Sequence, residues 1–424
     1  MNREKFKNTR LGAIHDSELE LKPLMIFSGE SGLGKSYAAF LVHYLYILLL
    51  TNRIQNFLIE KKFDFQKLIS SARSNSTILE IDVKELFDWI NLDAISYIGY
   101  LIGNDKLPGE VSIEIPYSKK TFVFTYHEEL GGMDNHEELF YKIRLDKFTY
   151  QILSSDYDPN DLKPWSDLLR AVLTDTIFDN FRAIRHTFLM PPSRGALMEL
   201  NERPAFRSGM YNEFFDFKAA LNRPLQKPVD IRADLAECMT NVNSGSVQEV
   251  EGRLMYYTAD GAEMPLTAAA SSIKEMAPFT LFLNKFSSAD SSILLEEPEA
   301  HLHPKRQIKV ADLVACAVNS GCNMQITTHS DYFIKRLNTL IKLYIARTMA
   351  EDTSKIDELM QKWDIRDSYL INPDNVGAYL LSKTGAGSHI ESQSIAAENG
   401  IPFESFYETI ENDFKLTEDI HTLL

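Results

Sequence analysis

An α/β fold built on a mostly parallel central sheet is predicted by three observations. An apolar run over residues 24–27 ends at Ser28, and Gly29-Glu30-Ser31-Gly32-Leu33-Gly34-Lys35-Ser36 follows at once, a complete G-x-x-x-x-G-K-[ST] leading into a helix-like segment. A second continuous apolar run, 291–295, ends in two carboxylates, Glu296 and Glu297. Beyond it strands and helices alternate, and strands apolar on both faces belong to parallel sheets covered on both sides.

Taken in order, residues 11–27 read as two short strands, 11–14 and 18–21, with a turn at His15-Asp16, before the strand 24–27. Residues 38–50, AAFLVHYLYILLL, are too few for a bilayer, which needs about 20, and read as a buried helix. Residues 53–95 mix charged and apolar residues at helical spacing. The stretch 111–130 alternates and reads as a hairpin turning at Ser118-Lys119-Lys120. Residues 137–153 fit either a strand or a helix. Pro164 opens a helix to about His186, with Trp165, Leu168, Leu169, Val172, Ile177 and Phe181 as its apolar stripe, and 188–190 form a short buried strand.

Residues 195–243 read as helices broken near Pro204, Pro224 and Pro228. Residues 247–266 read as a strand pair turning at Asp260-Gly261. A loop entering a helix covers 268–286, helices are expected over 305–319 and 331–348, and a central strand over 323–327. The tail 401–424, with six acidic residues against one lysine, reads as a solvated helix or a partly ordered end.

Composition excludes several classes. The 44% hydrophobic and 25% charged content is that of a globular chain, and 424 residues allow one large core with an added lobe. Three cysteines, Cys238, Cys316 and Cys322, form no C-x-x-C pair, which points to a reducing compartment and away from zinc. The polar start, MNREKFKNTR, is followed by no signal-type apolar stretch, so a cytoplasmic protein with no membrane partner is expected. With a formal charge of −16 and no long basic run, nucleic acid is not the default ligand, although a local basic face stays open.

The chemistry is concentrated in three places. The glycines of residues 29–34 let successive N–H groups face phosphate oxygens, Lys35 reaches the β- and γ-phosphates, the Ser36 hydroxyl ligates Mg²⁺, and Tyr37 continues into a helix whose N-terminus faces the same anion. In LLEEPEAHLHP, Glu296 suits a Mg²⁺ ligand through water, and Glu297 suits orienting the water that attacks the γ-phosphate. His301 and His303 beside carboxylates 296, 297 and 299 admit a metal-cluster reading, but turns at Pro298 and Pro304 account for the same residues. His329, ending the next strand, suits a γ-phosphate sensor, against the alternative of a structural histidine.

GESGLGKS, LLEEPEAHLHP and TTHSDYF, in this order and with a long gap after the first, resemble the AAA_15 and overcoming-lysogenisation-defect class of ATP-binding-cassette-like ATPases, relatives of the SMC and Rad50 heads. LGAIHDSELELKPLMIFSG is similar to that family's first strands, and MPPSRG to its P-x-S-R element. The resemblance implies a P-loop NTPase of the ABC-ATPase type, with a mostly parallel central sheet, an antiparallel β subdomain and a helical insertion. It implies ATP and Mg²⁺ as cofactors, Lys35, Glu297 and His329 as the catalytic set, and Ser36 and Glu296 as the metal ligands.

It also implies a site completed across a dimer. Ser271-Ser272-Ile273-Lys274-Glu275 resembles the signature loop, with Ser271 and Ser272 as phosphate donors and Ile273 where glycine is usual. Isoleucine hinders close backbone approach, which predicts slow hydrolysis or the use of ATP to hold an assembly. The organisation implied is an N-terminal half of the core over 1–52, a helical insertion over 53–110, and a hairpin and helical part of the core over 111–190. A helical lid follows over 191–246, then the C-terminal half over 247–400 and the acidic tail over 401–424, with 376–401 as a strand pair closing the core.

No sustained heptad pattern appears, and no D-x-D follows residue 349, so neither a long coiled coil nor a Toprim nuclease is expected in this chain. Stand-alone ATPases of this architecture resemble subunits of prokaryotic anti-phage systems such as PARIS. That likeness implies a homo-oligomer, from a dimer to a higher ring, a phage-encoded trigger protein and a separate effector of the Toprim nuclease type. The alternative is a Rad50/SMC-like DNA-repair ATPase, which predicts a basic groove and DNA-stimulated hydrolysis.

Overall fold

Strand β1 (Lys5–Leu11) and strand β2 (Ile14–Glu20) form an antiparallel hairpin that reverses at Gly12, where φ is 61°. The turn expected at His15-Asp16 therefore lies inside β2. Asp16 has a left-handed φ of 42°, so a turn-forming residue marks an irregular strand position and not the reversal. Strand β3 (Leu24–Gly29) leads into helix α1 (Lys35–Leu50), followed by α2 (Arg53–Lys61) and α3 (Phe65–Ser70). Strand β4 (Ser76–Asp82) interrupts the expected helical stretch and passes directly into α4 (Val83–Ile102), whose first turn is capped by the Asp82 carboxylate accepting from the Lys84 and Glu85 N–H groups. The computed structural model describes residues 5–63, 65–70, 76–131, 138–158, 160–178, 184–200, 202–223, 229–385, 387–396, 400–402, 411 and 414–420.

Strands β5 (Gly109–Glu114) and β6 (Thr121–Gly131) are not the hairpin their alternation predicts. β5 pairs with β1, whereas β6 pairs with β4 and with β7 (Glu138–Leu145), which turns into β8 (Phe148–Leu153). Pro116, between them, lacks the N–H that a continuing ladder needs. Helix α5 (Lys163–Phe178) is shorter than expected. Residues 179–183, including Phe181, lie outside the described residues, and His186 opens strand β9 (His186–Met190).

Helices α6 (Arg194–Glu199), α7 (Gly209–Leu221) and α8 (Ala233–Asn243) come next; Pro224 and Pro228 fall outside the described residues. The expected strand pair over 247–266 is a three-stranded antiparallel sheet of β10 (Gly245–Val250), β11 (Arg253–Thr258) and β12 (Glu263–Pro265). Its first reversal, at Glu251-Gly252, has both residues left-handed. Helix α9 (Ser271–Lys285), strand β13 (Ser291–Glu296), helix α10 (Pro304–Asn319), strand β14 (Asn323–Thr328), helix α11 (Asp331–Met349) and helix α12 (Ser354–Lys362) complete the alternating part. Strands β15 (Val376–Thr384) and β16 (Gly387–Gln393) form the last pair, and described residues 414–420 of the tail are helical and exposed.

The main sheet runs β5-β1-β2-β16-β15-β3-β14-β13-β9, and the strands from β15 to β9 are parallel to one another. This is the expected α/β, P-loop architecture with separate antiparallel sheets. The strand pair expected to close the core is interior: β15 pairs with β3 and β16 with β2, so the chain's last two strands lie between its second and third. Alternate residues of β3 feed two cores. Leu24 and Ile26 join Ile293, Leu295, Met324 and Ile326 beneath α8–α11, while Met25 and Phe27 join Leu189 and Leu294 beneath α1, α4 and α5. That two-sided burial explains the apolar runs. Helix α1 is buried from Ala38 through Tyr46, and among the described residues no single helix is long and apolar enough to cross a membrane; α1 and α2 reach that length only as a pair bent by 73°.

Candidate active site

Parallel register brings the site together. Phe27 lies opposite Thr327 and Thr327 opposite Glu296, so β3, β14 and β13 end at one edge of the sheet. That edge carries residues 29–36, His329, Glu296 and Glu297. Gly29 holds φ at 127°, and a Cβ there meets the Leu381 carbonyl oxygen at 2.4 Å; Gly34 has φ 98° and a Cβ would press on the Ile14 side chain at 2.9 Å. Both glycines are required by backbone shape and by space.

Lys35 is buried, and its Nζ donates to the carbonyls of Gly29 at 3.0 Å and Glu30 at 2.8 Å. Burial lowers its pKa, opposed by the carboxylates of Glu297, Glu299 and Glu296. The Ser36 hydroxyl is a neighbour of the Glu296 carboxylate. Glu296 is 3% exposed, and burial pushes its pKa up to about 7, against the nearby Ser36 hydroxyl, Arg194 and Lys35. A hydroxyl beside a carboxylate is a hard-oxygen donor pair of the kind Mg²⁺ takes.

Glu297 stands in the left-handed region at φ 44°, with its N–H donating to the Thr327 carbonyl at 2.9 Å and its side chain 41% exposed. Strain of this kind persists where the surroundings over-determine it. His329 meets three groups. Its Nδ1 lies 3.5 Å from Lys35 Nζ, and its Nε2 lies 3.4 Å from Ser31 Oγ and 3.7 Å from Glu297 Oε1. Burial first and Lys35 second lower its pKa, which favours the neutral ring. Tyr37 turns its ring onto Gly12 in the β1–β2 turn, so only its backbone remains on the loop.

Ser271 and Ser272 lie apart from this cluster, sharing no hydrogen bond with it among the described residues. Ser271 is exposed, and Ser272 accepts from Arg306 at 2.7 Å. Ile273 is 3% exposed and packs into the core beneath α9, so its side chain does not obstruct the surface its neighbours present. His303 is a helix cap, its Nδ1 accepting from the Lys305 N–H at 3.3 Å. Among the described residues no group of three or more His, Cys, Asp or Glu side chains is disposed to hold a metal ion.

Three residues without an assigned role from the sequence support the site. Arg194, fully buried, donates from Nη1 to the Glu296 carbonyl at 2.7 Å and from Nε to the Glu275 carbonyl at 2.9 Å, tying the end of β13 to the first turns of α9. Glu299 Oε1 accepts from the His329 N–H at 2.6 Å and the Thr328 hydroxyl at 2.9 Å, fixing the backbone that carries the histidine. Gln307 donates to the Leu302 carbonyl at 2.9 Å and accepts from the Ser330 hydroxyl at 2.5 Å, linking the turn after Glu297 to the residue after His329. The visible signals were the arginine in MPPSRG and the second acid in E-P-E; nothing local marked Gln307.

Residues 147–334 match the family model AAA_15, an AAA ATPase domain, a span that includes Glu296, Glu297 and His329 but not residues 29–36. A search of curated proteins gives no match. Among solved structures the chain is similar to the SMC head domain from Thermotoga maritima, at 10% identity over 93% of this chain and 100% of that one, with a TM-score of 0.36. It is also similar to the SmcHead bound to the C-winged helix domain of ScpA, at 12% identity over 93% and 98%, with a TM-score of 0.37. A third is the Smc head domain with an extended coiled coil bound to the C-terminal domain of ScpA from Pyrococcus furiosus, at 11% identity over 99% of each chain and a TM-score of 0.36.

Proposed function

We propose that this chain binds Mg²⁺-ATP and hydrolyses it to ADP and phosphate. The observation that carries the reading is the convergence of Lys35, Ser36, Glu296, Glu297 and His329 on one sheet edge, around a loop whose glycines are required there. The match of residues 147–334 to an ATPase domain supports it. Lys35 exchanges its two carbonyl partners for phosphate oxygens, and the N–H groups of residues 29–36 hold the phosphates. Ser36 and Glu296 hold the cation, which when bound neutralises charge on the β- and γ-phosphates. Glu297, the more exposed carboxylate, orients the attacking water and accepts its proton. His329, neutral and between Lys35 and Glu297, donates to the γ-phosphate.

The resemblance in GESGLGKS, LLEEPEAHLHP and TTHSDYF supports a finer reading. The ATPase is the oligomeric subunit of an anti-phage system, and its nucleotide state governs a separate effector of the Toprim nuclease type. Replacing Glu297→Gln should lower phosphate release roughly 100-fold or more while ATP binding persists; unchanged turnover would remove Glu297 from the mechanism. Native mass of the complex purified from its host under Mg²⁺-ATP tests the finer reading. A nuclease-like subunit supports it, whereas a bare dimer carrying DNA points to repair.

A further inference from the structure

Strand β9 ends the nine-stranded sheet, and among the described residues it pairs with β13 alone. An open sheet edge is a template for a further strand, and proteins guard it with charge, proline or a cover. The opposite edge strand, β5, carries Glu110 and Glu114, whereas β9, HTFLM, carries no carboxylate, lysine or proline. Just before β9, the Arg185 N–H donates to the Asp290 carbonyl at 2.7 Å, on the β13 side. Bonding direction alternates along a strand, so the N–H and C=O groups of His186 and Phe188 face away from β13. Among the described residues neither pair of groups has a hydrogen-bond partner on that side.

Residues 185–189 line one side of a cleft of about 1220 Å³, whose other walls include Ile47, Leu50 and Phe286. Five strand residues, about 17 Å long at about 4.8 Å strand spacing and about 10 Å layer thickness, occupy roughly 800 Å³. The cleft is therefore large enough for one more strand. Its wall is preformed: the Tyr97 hydroxyl donates to Glu213 Oε1 at 2.6 Å, and the buried His43 Nε2 lies 3.5 Å from Glu213 Oε2, tying α7 to α4 and α1. Two carboxylates on the wall are engaged, Asp216 by Arg203 at 2.6 Å and Asp290 by Arg185 at 3.7 Å. Arg223, exposed at the cleft, pairs with no carboxylate among the described residues. Both β9 and β13 begin beside the cleft, and β13 ends at Glu296, so the cleft lies at the opposite ends of these strands from residues 29–36.

We propose that this cleft receives an extended peptide segment of a partner protein, which adds to β9 as a further strand. Its backbone pairs with His186 and Phe188, its apolar side chains pack on Ile47, Leu50 and Phe286, and an acidic residue meets Arg223. The spacing selects a peptide over a small ligand: the two open positions are about 6.6 Å apart along the strand, the repeat at which a second backbone presents its own groups. The chain's own tail does not fit the part, because its described residues 414–420 are helical. The site is separate from the nucleotide chemistry and does not rest on it.

The deciding measurement selects binders to the full-length protein from a random displayed peptide library and titrates them, labelled, by fluorescence anisotropy. His186→Ala keeps the open N–H and should bind as wild type does. His186→Pro removes that N–H without breaking a bond to β13, so it should weaken binding about tenfold or more while its thermal midpoint stays close to that of His186→Ala. N-methylation of alternate peptide amides should cost a similar factor, and Arg223→Glu should weaken binding severalfold. Should His186→Pro fail to fold, the N-methylated peptides decide the matter against wild-type protein. A selection that yields no peptide sensitive to these changes overturns the proposal, as do binders indifferent to N-methylation.

Discussion

At the scale of single residues, the site depends on side chains that hold its polypeptide in place. Glu299 is the clearest case, because one carboxylate oxygen accepts from both the His329 N–H and the Thr328 hydroxyl, inside a part-buried turn. Glu299→Gln keeps an acceptor and should behave much like wild type. Glu299→Leu strands two donors, at a cost of about 1–3 kcal/mol each, and frees the His329 backbone. Steady-state kinetics should then show kcat falling more than KM rises; an equal loss of stability without that split would reduce Glu299 to packing. The sequence displayed this residue as the third acid of LLEEPEAHLHP, but its partner lies thirty positions away. Only the pairing of β13 with β14 brings the two together.

At the scale of the element, α9 illustrates how a one-dimensional reading misplaces a side chain. Isoleucine at 273 was expected to block close approach by its β-branched bulk. On the helix, however, Ser271, Ser272 and Ile273 point in different directions, and Ile273 falls on the stripe that continues through Met276, Ala277 and Phe279 into the core. Ile273→Ala should therefore act through stability, costing about 2–5 kcal/mol by cavity formation. Thermal denaturation should show that drop whether or not nucleotide is present; a stable variant with faster turnover would restore the steric account. The strands make the same point. The run 111–130 alternates as a hairpin should, yet its halves belong to different sheets, because alternation reports burial of one face and not the identity of the partner.

At the scale of the molecule, the nine-stranded sheet joins distant parts of the chain around β3. Its neighbours are β14 and β15, each about three hundred or more positions away, and β15 also supplies the Leu381 carbonyl that crowds Gly29. Ending the chain at Asn375 should thus expose one whole edge of β3, with Tyr379 and Leu381 removed from the core beneath α1. Soluble expression should be lost. A soluble, ATP-binding product would show that the last strand pair is dispensable to the phosphate loop.

Legible along the chain were the α/β class, the strand–loop–helix over residues 24–50, and the apolar strand that ends in Glu296 and Glu297. These are local: glycine spacing, a lysine at a fixed offset and uninterrupted apolar runs need no partner to be recognised. Tertiary structure alone decided that β15 sits beside β3, that His329 reaches both Lys35 and Glu297, and that Arg194, Glu299 and Gln307 hold the surrounding turns. It also decided that Ile273 faces inward while Arg306 stays at the surface on two hydroxyls. Each of these outcomes depends on which strand or helix lies alongside. That choice is made by packing two cores on opposite faces of one sheet, and short-range pattern does not record it.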